Sequence, residues 1–171
     1  MINMPFSLLL EHSLLYGGIV ALLLSFVLMG SLVFNPEIGW RTYPPQVKVA
    51  FGPMRSTAKK QRIVIGLVFI GLLIGGAFVS LVRLQAAHVA TLTFMEAFTS
   101  TLIVFNVFNL VDLLLLDWLI FATWQPKMLM LPGTEGMDEY ADYGFYFSGF
   151  LKGLAGSVVF SLIASTITIA I

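Results

Sequence analysis

Residues 14–34 read LLYGGIVALLLSFVLMGSLVF, 21 consecutive positions without a charge. A helix rises about 1.5 Å per residue, and the hydrocarbon core of a bilayer is about 30 Å thick, so about 20 apolar residues cross it. Residues 63–82, IVIGLVFIGLLIGGAFVSLV, form a second uncharged run of 20. Residues 89–124 form a run of 36, interrupted only by Glu96, Asp112 and Asp117, and the stretch 143–171 carries one charge, Lys152. Continuous apolar runs, rather than short alternating segments, argue for helices over a barrel. The reading is an all-α, four-helix transmembrane bundle forming one domain over 1–171. Its helices are expected at about 14–34, 63–83, 90–124 and 143–171, joined on one side by loops 35–62 and 125–142.

Composition agrees. Of 171 residues, 58% are hydrophobic and 11% charged, against about 25% charged in ordinary soluble domains. A soluble single domain and a disordered chain are excluded. The absence of Cys removes disulfides, thiolate metal sites and a Cys nucleophile. Nine basic residues balance nine acidic ones, and no basic stripe marks a nucleic-acid partner.

Charge distribution gives the orientation. The opening MINMPFSLLLEH has no Lys or Arg, unlike a secretory signal, so the first helix is expected to be retained. Six of the nine basic residues (Arg41, Lys48, Arg55, Lys59, Lys60, Arg62) fall between the first two helices. The positive-inside rule places that segment in the cytoplasm and both termini outside. Pro36, Pro44, Pro45 and Pro53 predict an extended, irregular first loop. That loop carries +5 and the second, QPKMLMLPGTEGMDEYAD, carries −3, so the two either attract or stay separately solvated. No Gly or Pro occurs between Gly76 and Pro126, so the second and third helices should extend past the membrane and turn near 86–89.

The polar residues of the third helix are the most informative. Taken at about 100° per residue, Glu96, Asn106, Asn109 and Asp117 share an arc of about 140°, with Thr99 in its middle and Asp112 adjoining. A charge at the bilayer centre costs at least about 2.5–3.5 kcal/mol, so this stripe must face the bundle interior or a partner. It reads as interhelical hydrogen-bonding glue, as a proton or ion path, or as an interface with another subunit or a buried lipid-like ligand. Lys152 is expected at the cytoplasmic edge, either snorkelling or paired with Asp117.

Gly71-xxx-Gly75 and Gly149-xxx-Gly153 match the close-approach pattern of membrane helices and are expected to pack within the bundle. Gly144, Ser148, Lys152 and Gly156 form a low ridge beside the lysine. His12 and His88 sit at the outer edge, where a shared metal or haem is conceivable but two separate interfacial histidines are favoured. No phosphate loop, dinucleotide fingerprint, Gly-x-Ser-x-Gly or His-Glu-x-x-His occurs. Leu131 to Gly136 reads as a turn. Asp138, Glu139 and Asp142 read as solvated acids favouring the start of the fourth helix rather than as a divalent-cation site. No cofactor is implied.

Asn35-Pro36 with Tyr43-Pro44-Pro45, Asn109-Leu-Val-Asp112 with Asp117-Trp118, and Pro132-Gly133-Thr134-Glu135 through Lys152-Gly153 resemble a group of bacterial integral membrane proteins that carries no agreed activity or ligand. The resemblance implies a bacterial inner membrane. The first functional reading is non-enzymatic: an accessory subunit of a membrane complex, or a module binding lipid or a membrane partner, itself included. A proton- or ion-conducting oligomer built on Asp112 and Asp117 is the second. An intramembrane lipid-modifying enzyme using Glu96, Asp112 or Asp117 is the third.

Overall fold

A computed structural model describes residues 4–88 and 90–170. Val89, in the expected turn, and Ile171, at the end of the last expected helix, lie outside the described residues. Four helices are long and apolar enough to cross a membrane. They are α1 (Phe6–Phe34), α3 (Ser56–Ala86), a third formed by α4 (Phe94–Val111) continuing into a π-helix (Asp112–Trp124), and α5 (Tyr143–Ala170). A short helix, α2 (Pro45–Phe51), and three 3₁₀ turns lie in the connections. The chain is therefore a four-helix bundle and, by the apolarity of its helices, an integral membrane protein. Large apolar side chains such as Phe26, Phe34 and Leu67 are exposed on its outside, where lipid covers them.

The helices outrun the apolar segments because backbone hydrogen bonding continues until something stops it. At α1, Pro5 precedes the first turn, where a missing N–H costs nothing, and Pro36 forbids helix at Asn35. The third helix starts at Phe94, later than expected, because Thr93 and Glu96 form a reciprocal capping box. For α5 the Asp142 carboxylate accepts from the Phe145 N–H at 2.9 Å.

Three layers of apolar packing run along the bundle. At the end where α1 begins and α3 ends, Met4, Leu9, Leu81, Leu84, Leu92 and Ala97 cluster. In the middle are Val20, Leu24 and Val104. The largest cluster joins helix ends to the two loops: Leu32, Tyr43, Val47, Leu113, Leu116, Phe121, Leu129, Leu131, Tyr140 and Tyr146 are among its buried members.

An extended, irregular first loop is thus incorrect. Pro36 and Pro45 each occupy the first turn of a short helix, a position that suits their fixed φ. Lys59, Lys60 and Arg62 lie on the first turns of α3 rather than in a loop. Asn35 accepts from the Glu37 N–H and donates to Gln61 at 2.7 Å, while Trp40 Nε1 donates to the Gly52 carbonyl at 3.0 Å. The second loop turns as expected at Pro132-Gly133, where Gly133 has φ +83° and the Thr134 N–H reaches the Leu131 carbonyl at 3.0 Å.

The oppositely charged loops do meet, but through tyrosines rather than ion pairs. The Tyr43 hydroxyl donates to the Leu129 carbonyl at 2.6 Å, and its ring stands edge-on to Tyr140 and Phe121. Tyr140 in turn receives the Leu131 N–H at 3.1 Å and shares a hydrogen bond of 2.7 Å with Thr134. Burial, then the neighbouring Tyr140 and Tyr146, holds the Tyr43 pKa far above its ordinary value, so the hydroxyl remains a donor.

Close helix contacts use glycines other than those expected on α3. Gly71 and Gly75 have open space where a Cβ would stand, whereas a Cβ on Gly76 would strike the Val20 side chain. Adjacent helical residues point about 100° apart, so a one-position error selects the wrong face. On α1, a Cβ on Gly17 would lie 2.9 Å from the Val107 Cβ.

Two outcomes check these contacts by unfolding in detergent. Gly76→Leu is expected to lose about 1–3 kcal/mol by overpacking, with Gly75→Leu near wild type. Tyr43→Phe is expected to lose about 1–3 kcal/mol, because it strands a buried carbonyl.

Candidate functional site

The loop end of the bundle encloses a cavity of about 840 Å³. Leu28, Ser31 and Leu32 line it from α1. Arg62, Ile65, Gly66 and Phe69 do so from α3, and Phe145, Tyr146, Ser148, Gly149, Phe150 and Lys152 from α5. The third helix contributes Phe108, Asn109, Asp112, Leu113, Leu116, Asp117 and Phe121, and the first loop Ile38, Arg41, Thr42 and Lys48. Phe69 and Phe108 meet edge to face at 5.3 Å and close the inner end, with Val20, Leu24 and Val104 beyond them. In the membrane-spanning part, α3 packs chiefly on α1 and α4, and α5 on α4 and the π-helix. α3 and α5 therefore wall the cavity without a substantial contact between them.

The winding of the third helix decides which polar groups share this space. In an α-helix, residues five apart are about 140° apart around the axis. A π-helix bonds i to i+5 and so takes more than four residues per turn, which brings such residues nearly into line. Asp112 opens the π-helix and Asp117 is five residues on, so both carboxylates face the cavity. The expected stripe, drawn at a constant 100° per residue, is corrected below Asp112 for that reason.

Above the cavity the stripe is divided among other tasks. Asn106 Nδ2 donates to Ser157 at 3.0 Å and to the Leu102 carbonyl at 2.8 Å. Asn109 Nδ2 donates to the Phe150 carbonyl at 3.1 Å, and its amide fills the place where a Cβ on Gly153 would stand. Gly149 faces open space in the cavity. Glu96 belongs to neither group: it takes the N–H groups of Thr93 (2.8 Å) and Met4 (3.1 Å), tying the chain's start to α4. The Thr-x-x-Glu spacing at Thr93 and Glu96 was visible in the sequence and marks a helix start rather than a buried site.

Lys152 stands beyond the second turn of α5. The bond from Asn109 to Phe150 places this part of α5 level with Asn109, and Lys152 is nine residues, about 14 Å, beyond Tyr143. Lys152 and Asp117 both line the cavity, and the ion pair that was the alternative to snorkelling does not form. Among the described residues the one ion pair joins Arg55 to Glu37, a carboxylate with no exposure, which also accepts the Arg55 N–H at 3.1 Å. The guanidinium's own hydrogen bond to the Glu37 carboxylate, reinforced by that group's charge, raises the Arg55 pKa. Glu37 was missed in the sequence; its one signal was being the lone acid of a basic loop.

The histidines have separate partners. His12 Nε2 lies 2.9 Å from the Ser80 carbonyl with its ring stacked on Tyr16, and His88 Nδ1 accepts the Ala90 N–H at 3.0 Å. Among the described residues no three His, Asp or Glu side chains are grouped to hold a metal.

The cavity therefore combines aromatic and aliphatic walls, two carboxylates and four cationic side chains, Arg41, Lys48, Arg62 and Lys152. Lys48 Nζ stands 5.6 Å from the Trp40 ring centre and 5.7 Å from that of Phe145, contacts that hold it at the cavity wall. Comparison with protein-family models, curated proteins and solved structures finds no match. The resemblance to bacterial membrane proteins gains no support there, and the site has to be read from its own geometry.

Because the chain lacks Cys, single introduced thiols report on the cavity directly. Asp117→Cys and Lys152→Cys are expected to react with a membrane-impermeant thiol reagent applied from the loop side, while Leu24→Cys and Val104→Cys stay protected. Equal labelling of all four contradicts a cavity closed at its inner end.

Proposed function

We propose that this protein is a membrane-embedded binding module that holds one lipid or lipid-like amphiphile in the cavity, with the polar end at the loops. The observation that carries the reading is the cavity's mixed lining. Its lining combines aromatic and aliphatic walls that suit acyl chain with charged groups of both signs that suit a headgroup. α3 and α5 both line the cavity without substantial contact with each other, which supports entry of the amphiphile between them. Six of nine basic residues lie in 35–62, which supports a cytoplasmic loop end by the positive-inside rule.

Conduction through Asp112 and Asp117 is less well supported. The layer of Val20, Leu24 and Val104, with 3%, 0% and 0% exposure, stands between the carboxylates and the far end of the bundle.

Gly149 gives the test, since it borders the cavity and a Cβ there meets no protein atom within 4 Å. Native mass spectrometry from mild detergent is expected to show one lipid-mass adduct per wild-type chain, lost in Gly149→Phe without loss of thermal stability. A wild-type protein free of lipid, or an adduct indifferent to Gly149→Phe, overturns the reading.

A further inference from the structure

The cavity contains charges of both signs that do not satisfy one another. Among the described residues, Asp112 and Asp117 pair with no cation, and Arg41 and Arg62 pair with no acid, although all four line one space. A charge taken from water without a partner costs several kcal/mol, so a single chain gains by neutralising such groups internally when it has both. The acids stand on the π-helix, and the cations on the first loop, α3 and α5.

A third unsatisfied group sits with the acids. Tyr146 is 3% exposed, lines the cavity, and its hydroxyl has no hydrogen-bond partner. Two carboxylates and one hydroxyl make three acceptors for one donor group. A primary ammonium has three N–H bonds to give, and a quaternary ammonium has none. The cationic side chains of the same cavity ask for an anion, and Arg in particular suits phosphate oxygens.

We infer that the bound amphiphile is a phospholipid with a primary-ammonium headgroup, of the phosphoethanolamine type. Its ammonium sits among Asp112, Asp117 and the Tyr146 hydroxyl, and its phosphate lies against Arg41, Arg62 and Lys48. This rests on the binding-module reading above and adds the headgroup class. The source is the bilayer rather than solution, because most of the cavity lining is aromatic or aliphatic and the helices that wall it are apolar enough to lie in a membrane.

The test uses the full-length protein in nanodiscs of equal parts phosphatidylethanolamine, phosphatidylcholine and phosphatidylglycerol with identical acyl chains. Lipid retained after extraction is read by native mass spectrometry. Phosphatidylethanolamine is expected to exceed each of the others by at least about tenfold, the worth of one charge-assisted hydrogen bond. Asp112→Asn and Asp117→Asn, close in shape to the parent side chains, are expected to reduce that ratio while lipid remains bound. Arg41→Gln with Arg62→Gln is expected to lower occupancy for all three lipids. Equal retention, or preference for the choline or glycerol headgroup, overturns the headgroup assignment and leaves lipid binding standing. So does an undiminished preference in both Asp variants. Absence of any retained lipid overturns the binding module itself. Displacement by soluble glycerophosphoethanolamine at matched concentration overturns the bilayer as the source.

Discussion

One buried hydrogen bond, from the Tyr43 hydroxyl to the Leu129 carbonyl, joins two connections that lie 86 residues apart in the chain. A short loop beneath a membrane bundle has little reason to order by itself, since fixing its backbone costs about 1–2 kcal/mol per residue. These loops recover that cost by burying Tyr43, Val47, Leu129, Leu131 and Tyr140 against the ends of α1, the π-helix and α5. The loops thereby become part of the core. They bring Ile38, Arg41, Thr42 and Lys48 to the cavity, which a bare bundle of four helices would leave open to water.

The second constraint is helical winding. Asp112 and Asp117 are five residues apart, a spacing that divides them between faces in an α-helix and unites them in a π-helix. Asn109, the last polar residue before the change, is spent on α5 through the Phe150 carbonyl and the gap at Gly153. The third helix is thus fastened to α5 at Asn106 and Asn109 and releases its carboxylates into free space immediately below. Structural and chemical duties are divided at Val111.

Much of this architecture was legible beforehand. Four apolar runs specify four helices because lipid offers no alternative partner for backbone N–H and C=O groups. Helix ends were less legible: Phe6 and Ser56 start helices well outside the apolar runs, since hydropathy measures lipid contact and not backbone hydrogen bonding. Prolines misled for a related reason. Pro36 and Pro45 were read as helix breakers, although at the first helical position they start helices. The cavity could not be read at all. It depends on loop tyrosines packed under the bundle and on a π-helix for which no local residue pattern is known to us. Gly76 rather than Gly75 meets α1 because facing depends on a rotation of about 100°, finer than a four-residue pattern resolves.

Glu37 shows what this chain does with an acid whose role is to hold structure. It is fully buried, and it takes both the backbone N–H and the guanidinium of Arg55. The same economy was open to the cavity, where Asp117 and Lys152, or Asp112 and Arg62, border a common space. A structural role would favour closing that space around an ion pair, since burial strengthens the attraction that offsets desolvation. Among the described residues the cavity instead leaves Asp112 and Asp117 without an ion pair and the Tyr146 hydroxyl without a partner, an arrangement that a third body carrying complementary groups would stabilise.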